Sequence, residues 1–233
     1  MPVQKGSFVR LSYTGRIGGK VFDTTDEVVA REEMIHNPQA VYGPVLIRVG
    51  NRHVVMGLDD TLAGKEAGDE GTVEVPPEKA FGPHDETRVE SVSLAQFKEK
   101  PRIGQTVEVD NREGVVVNIL GRRVVVDFNH PFAGKTVTYS YKIEDVVESR
   151  PDQINGLIKL YTQRSMEVSV DGNVVTIRLP PAIMYDRRWL LWRSRIIQEI
   201  FEFYPEVEEI LLLESFRRQA REGGQEKEEG SGQ

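Results

Sequence analysis

The chain has 233 residues, 39% of them hydrophobic, with 30 Lys and Arg against 37 Asp and Glu for a net charge of −7. It has no cysteine, which excludes a disulfide framework, a thiolate nucleophile and a Cys-ligated zinc site. The acidic balance argues against duplex nucleic acid as a partner, because phosphate neutralisation needs clustered Lys and Arg. No apolar run reaches the roughly 20 residues that span a bilayer, and Met1-Pro2-Val3-Gln4-Lys5-Gly6 lacks an apolar signal core. The expectation is a cytoplasmic protein without a membrane partner.

Residues 8–13 alternate as a strand should, with Phe8, Arg10 and Ser12 opposed to Val9, Leu11 and Tyr13, and Thr14-Gly15 closes it. Val21-Phe22 after Gly18-Gly19 reads as the return strand of a hairpin. Residues 26–35 have helical character, with Asp26 as N-cap and Asn37-Pro38 as stop. A strand at 45–49 ends at Gly50-Asn51, and Val54-Val55-Met56-Gly57 leads into a short helix, 58–63, terminated by Gly64. Residues 71–75 form another strand, stopped by Pro76-Pro77.

After Phe81-Gly82-Pro83 the composition changes. A polar stretch and an amphipathic piece at 94–98 precede valine-rich strands at 106–109, 114–119 and 122–128, the last two a hairpin turning at Leu120-Gly121-Arg122. Residues 136–147 resume as a long strand, and Ser149-Arg150-Pro151-Asp152 reads as a linker. Beyond it, strands at 167–170 and 174–179 flank the turn Asp171-Gly172-Asn173. Residues 186–204 are a helix in which Trp189, Trp192, Ile196, Ile200 and Phe203 recur at three- and four-residue steps, with Arg188, Arg195, Gln198 and Glu199 elsewhere around it. An apolar strand follows at 209–214, and 223–233, with nothing to bury, is expected to be disordered.

His36, His53, His84 and His130 are scattered without metal-ligand spacing, and no Gly-x-Ser-x-Gly elbow, P-loop or Gly-x-Gly-x-x-Gly occurs. Neither a metal nor a cofactor is expected. The valine-rich segment 114–127 superficially suggests a small RNA-binding barrel, but it lacks a basic cluster beyond Arg122-Arg123. The paired tryptophans of the last helix read as core or interface.

A more specific signal is a set of separated motifs in fixed order: Tyr13-Thr14-Gly15, Val21-Phe22-Asp23, Val49-Gly50, Val54-Val55-Met56-Gly57-Leu58 and Pro76-Pro77-Glu78-Lys79-Ala80-Phe81-Gly82. Over roughly residues 5–147 this resembles the FKBP-type peptidyl-prolyl cis-trans isomerases, and the run from Asp127 through Asn129-His130-Pro131-Phe132-Ala133-Gly134-Lys135 resembles their SlyD-like subgroup. The long excursion 24–44 and the separate C-terminal part look like the long archaeal members. The resemblance implies an α+β protein: an FKBP-like antiparallel half-barrel around a short helix (1–83 plus 130–149), an inserted β-rich flap domain with chaperone function (84–129) and a small α+β C-terminal domain (152–222).

It also implies the site. Tyr13, Phe22, Asp23, Val55, Phe81 and Tyr139 stand at catalytic positions, and Val45, Val54, Leu58 and Phe132 at substrate-binding ones. Phe81 departs from the usual tyrosine and cannot donate a hydrogen bond; Leu58 stands where tryptophan is frequent. The His- and Cys-rich metal-binding tail of some SlyD-like proteins is absent. The implied function is isomerisation of X-Pro bonds in unfolded or nascent polypeptides, coupled to chaperone holding. The rival is a non-catalytic chaperone or ribosome-associated adaptor with a decayed pocket. The apolar C-terminal helix and strand suggest a homodimer through that domain.

Overall fold

The computed structural model describes residues 2–181 and 183–216. Strand β1 (Phe8–Ile17) is its hub. It does not stop at Thr14-Gly15 as the sequence suggested but runs on to Ile17, with a bulge after Gly15 where it pairs with β2 (Lys20–Thr24). Its first half pairs with β3 (Val45–Arg48), and its other edge with β9 (Val137–Val146), which β4 (Glu70–Val75) flanks. All these pairings are antiparallel, giving a five-stranded sheet.

The inward residues of that sheet, among them Val9, Leu11, Val75, Val137, Tyr139 and Ile143, close over Leu58 and Leu62 of α2 (Met56–Leu62). Seven residues are too few to hold a helix on their own; burial of these two leucines supplies what propensity cannot. The approach is close. A Cβ on Gly57 would lie 2.4 Å from Val75 Cγ1, so only glycine lets the helix seat against β4. In the excursion between β2 and β3, α1 (Glu27–Glu32) starts where Asp26 Oδ1 accepts the Val28 N–H at 2.7 Å. It ends earlier than expected, because Met34 takes a left-handed φ of 57°.

The segment after Pro83 folds into a second antiparallel sheet of β5 (Val89–Ser93), β6 (Thr106–Val109), β7 (Arg112–Leu120) and β8 (Arg123–Asp127), in the order β5-β8-β7-β6. Its own core is Val107, Val109, Val116, Val124, Val126 and Phe128.

Residues 149–152, expected as a linker, instead begin helix α3 (Arg150–Thr162), with Pro151 in the first turn where its missing N–H costs nothing. The hairpin β10 (Glu167–Asp171) and β11 (Val174–Leu179) follows. Helix α4 (Arg187–Phe203) then crosses over so that β12 (Glu209–Glu214) lies parallel to β11. Ile154, Leu157, Ile177, Trp189, Ile196 and Ile200 form this core, and Phe8 of β1, Leu46 of β3 and Val147 just after β9 belong to the same cluster. Two residues of α4 differ from expectation. Glu199, placed with the polar residues, has a side chain only 1% exposed, whereas Trp192, placed on the apolar stripe, is 38% exposed. The expectation for 223–233 falls outside the described residues. Among the described residues no helix is long and apolar enough to cross a membrane.

Candidate active site

At the open end of the first sheet, β1, β2 and β9 bring three rings together. Phe22 meets Tyr139 edge-on with centroids 6.0 Å apart, and Tyr139 meets Tyr13 in the same way at 5.8 Å. Two further rings arrive from connecting segments. Pro77 O accepts both the Ala80 and Gly82 N–H groups, a tight turn that sets Phe81 edge-on to Phe22 at 5.8 Å. Phe132, on the approach to β9, lies 4.9 Å from Phe22 and 5.3 Å from Phe81. Leu58 forms part of the buried core beneath, and Val45, Val54 and Val55 are half-buried against the same cluster. Of the ten positions singled out from the sequence, eight belong to or pack against this one cluster, Phe132 joins it through its ring contacts, and Asp23 through the Tyr13 hydroxyl.

One polar pair faces it. The Tyr13 hydroxyl donates to Asp23 Oδ2 at 3.0 Å, while Asp23 itself is exposed. Burial, and then the facing carboxylate, push the Tyr13 phenol far up, so it remains a donor across the physiological range. Burial and the same charge raise Tyr139. A second polar group is main-chain: Val55 is the N-cap of α2, its carbonyl accepts from Leu58 and Asp59, and among the described residues its own N–H has no acceptor. The β3–α2 loop is held from within by Asp59, a buried carboxylate that accepts the Gly50 N–H at 2.8 Å and the Arg52 N–H at 2.9 Å.

Three contributors escaped the sequence reading. Gly15 lies inside β1 rather than at its end, and a Cβ there would stand 2.8 Å from Phe22 Cζ and from Tyr139 Cε1, so its bare backbone makes room for both rings. His130 lies flat on Phe81, with centroids 4.6 Å apart and planes 2° off parallel, and its Nδ1 accepts the Phe132 N–H at 3.2 Å. His53 precedes the Val54-Val55 pair and is buried against α4. Gly15 and His130 stand within the motifs that carry the resemblance, but the sequence assigns them no part in the site, and His53 has no signal beyond a lone histidine. Among the described residues no group of three or more His, Asp and Glu side chains is placed to hold a metal ion. The arrangement offers a cluster of aromatic and aliphatic side chains, one exposed carboxylate and one main-chain amide without an acceptor among the described residues.

Comparison with known proteins gives the family. Residues 1–99 match the FKBP-type peptidyl-prolyl cis-trans isomerase family, 94–132 the FKBP26 IF domain and 150–217 the FKBP26 C-terminal family. A short-type peptidyl-prolyl cis-trans isomerase of Methanocaldococcus jannaschii is 33% identical over 147 residues, covering 62% of this chain and 94% of the relative. The FKBP-type isomerase SlyD of Vibrio cholerae is 26% identical over 160 residues, 66% of this chain and 73% of the relative. An FKBP-type 16 kDa isomerase of Escherichia coli is 33% identical over 110 residues, 44% of this chain and 74% of the relative. With nearly the whole archaeal relative aligned, the chain belongs to the FKBP-type peptidyl-prolyl cis-trans isomerases.

Proposed function

We propose that this isomerase accelerates X-Pro rotation in unfolded and nascent polypeptides of the cytoplasm, capturing them on its second sheet and turning their prolyl bonds over in the aromatic recess. The observation that carries the reading is the Tyr13–Asp23 hydrogen bond set over the cage of Phe22, Tyr139, Phe81 and Phe132.

The chemistry needs no covalent step. Rotation about the amide faces a barrier of about 18–20 kcal/mol because the planar form is conjugated and charge-separated. An apolar cage solvates that planar form worse than water does, so the less conjugated twisted form is favoured in relative terms. In this reading Phe22, Val54, Leu58 and Tyr139 grip the proline ring, with Val45 and Phe132 at the margins. The Val55 N–H holds a substrate carbonyl, and Asp23, oriented by Tyr13, faces the twisted amide. Phe81 contributes its ring alone, which preserves the cage and omits one donor.

Exposed Val117 and Leu120 on β7, with Ile103 ahead of β6, support client holding by the second sheet. Tethering a client there raises the concentration of its prolines at the recess without changing the intrinsic rate. We also propose that the chain forms a homodimer through its C-terminal part, on the support of exposed Leu190, Leu191 and Trp192 of α4 and exposed Leu211 and Leu213 of β12. Trp189 lends no support, being fully buried.

A refolding protein limited by prolyl isomerisation tests the enzyme reading: catalysis shortens its slow phase, whereas a holding adaptor leaves the rate unchanged or slows it. Light scattering of the full chain beside Leu191→Arg tests the dimer, which predicts a halved mass in the variant.

A further inference from the structure

The β3–α2 loop that carries Val54 and Val55 has two anchors. Asp59 holds it from inside, as described above. The second anchor lies in the C-terminal part, where His53 is packed into the contact between the loop and α4. Its Nδ1 accepts the Arg48 N–H at 3.0 Å, which puts the proton of the neutral ring on Nε2. That nitrogen faces Glu199 Oε2 at 3.4 Å, and the two side chains are only 3% and 1% exposed.

The pairing is specific because the alternatives are used up. Glu199 Oε1 already accepts the Tyr161 hydroxyl and Arg195 Nε, both at 2.7 Å. Neither His53 Nε2 nor Glu199 Oε2 makes a well-formed hydrogen bond among the described residues, their mutual approach at 3.4 Å included, so each is left facing the other. Around them the Tyr161 and Phe203 rings flank the imidazole at 6.2 and 6.3 Å, and the Arg48 guanidinium sits 4.2 Å over Phe203. Burial works to raise the Glu199 carboxyl, but the facing His53 ring and the Tyr161 hydroxyl outweigh it and hold it below the ordinary carboxylate value. A buried carboxylate at such a contact is a poor way to gain stability, since well-packed apolar residues do as well or better; what it adds is a fixed register.

The register passes directly to the recess, because the two residues that follow His53 are Val54 and Val55. We propose that His53 is a positioning residue for the isomerisation: through its contact with Glu199, helix α4 sets where the Val54-Val55 segment and the Val55 N–H stand relative to the aromatic cage. The inference rests on the enzyme reading above and assigns the C-terminal part a role in catalysis in addition to association. Misplacement of a holding group by about 1 Å is enough to cost a large part of its effect.

The test uses the full chain. In Glu199→Gln the amide oxygen must take the Oε1 place to satisfy Tyr161 and Arg195, which turns the NH2 toward the His53 Nε2–H and sets two donors against each other. We expect kcat/KM on a prolyl tetrapeptide to fall about three- to tenfold, a loss of the size of one hydrogen bond. The Val54 and Val55 amide resonances should shift while those of Val116 and Val124 in the second sheet stay in place. His53→Asn, which keeps an acceptor for Arg48 and loses only the reach to Glu199, should do the same and serves if Glu199→Gln does not fold. The double variant should lose no more than either single one. A folded variant with unchanged kcat/KM and unmoved Val54 and Val55 resonances overturns the inference alone, as do additive losses in the double variant. An unmodified chain without catalysis overturns the enzyme reading and this inference with it.

Discussion

The Gly134 N–H donates to the Gly82 carbonyl at 2.8 Å, so the chain leaves the first sheet and returns to it one hydrogen bond apart. Asp85 and Asn129 repeat the closure: the Asp85 N–H reaches Asn129 Oδ1 at 3.0 Å, and Asn129 Nδ2 returns to the Asp85 carbonyl at 2.9 Å. A segment with its ends tied this closely is excisable. Replacing residues 84–129 by a short loop should leave the first sheet folded and tetrapeptide turnover nearly intact, while catalysis of protein refolding falls sharply. Both substrates are measured on the same variant; equal losses would mean that the insert shapes the recess instead of recruiting clients.

The same crossing predicts a pH dependence. His84 Nε2 lies 2.9 Å from Asp127 Oδ2, and this hydrogen bond is the main cause raising the His84 pKa, against partial desolvation. For Asp127, burial raises the carboxyl, but the hydrogen bonds from His84 and Asn129 outweigh it and hold it below the ordinary carboxylate value. The histidine's contribution is complete below its ordinary value near 6.5 and is lost as pH rises through its raised value; the aspartate's is complete above its ordinary value and is lost as pH falls through its lowered one. The latch is thus tightest in mildly acidic solution. Hydrogen exchange of the Asp85 and Asn129 amides, corrected for intrinsic rate, should show more protection at pH 6 than at pH 9. His84→Gln should flatten that difference, and an unchanged difference would remove His84 from the latch.

Gly15→Ala tests the packing under the recess. With the new Cβ 2.8 Å from both Phe22 and Tyr139, the rings must move, at a cost of about 1–3 kcal/mol. Activity should fall by at least tenfold along with a lower Tm. Unaltered turnover would show that the two rings can shift without consequence for the substrate.

Phe81→Tyr should raise kcat/KM about two- to tenfold with little change in Tm, because it restores a donor at the position that resembles the family's tyrosine. The ring lies flat on His130 and edge-on to Phe132, so loss of activity would mean that this pair has packed around phenylalanine and excludes the hydroxyl.

Much of this organisation is legible in the sequence, for reasons that differ by element. Alternation in β1 and the Gly18-Gly19 turn mark the first hairpin, and the valine runs with Gly121 mark β7 and β8, because period two and turn chemistry are local properties. Helix α3 is obscured because Ser149-Arg150-Pro151-Asp152 serves equally as a linker and as a helix start, and because Gly156 weakens its pattern. The reason for that glycine is remote: a Cβ on it would sit 2.7 Å from Leu46 Cδ1 on β3. Strand β5 hides behind its polar content, with Glu90, Ser91 and Ser93 leaving only two valines in five residues. At the site, the cage residues carry a recognisable motif order, but what Gly15 and His130 pack against, Tyr139 and Phe81, and what His53 faces, Glu199, are distant in sequence. Glu199 reads as a solvent-facing residue until the loop that packs on it is in place.

The most direct test of the central claim is the slow, proline-limited refolding phase of a client protein measured with the full chain, with Asp23→Ala and with Val55→Glu. The account predicts acceleration by the unmodified chain, a clear loss with Asp23→Ala and near-complete loss with a folded Val55→Glu, whose charge enters the recess beside the amide that holds the substrate. Acceleration by Val55→Glu equal to that of the unmodified chain, or no acceleration by the unmodified chain itself, would contradict it.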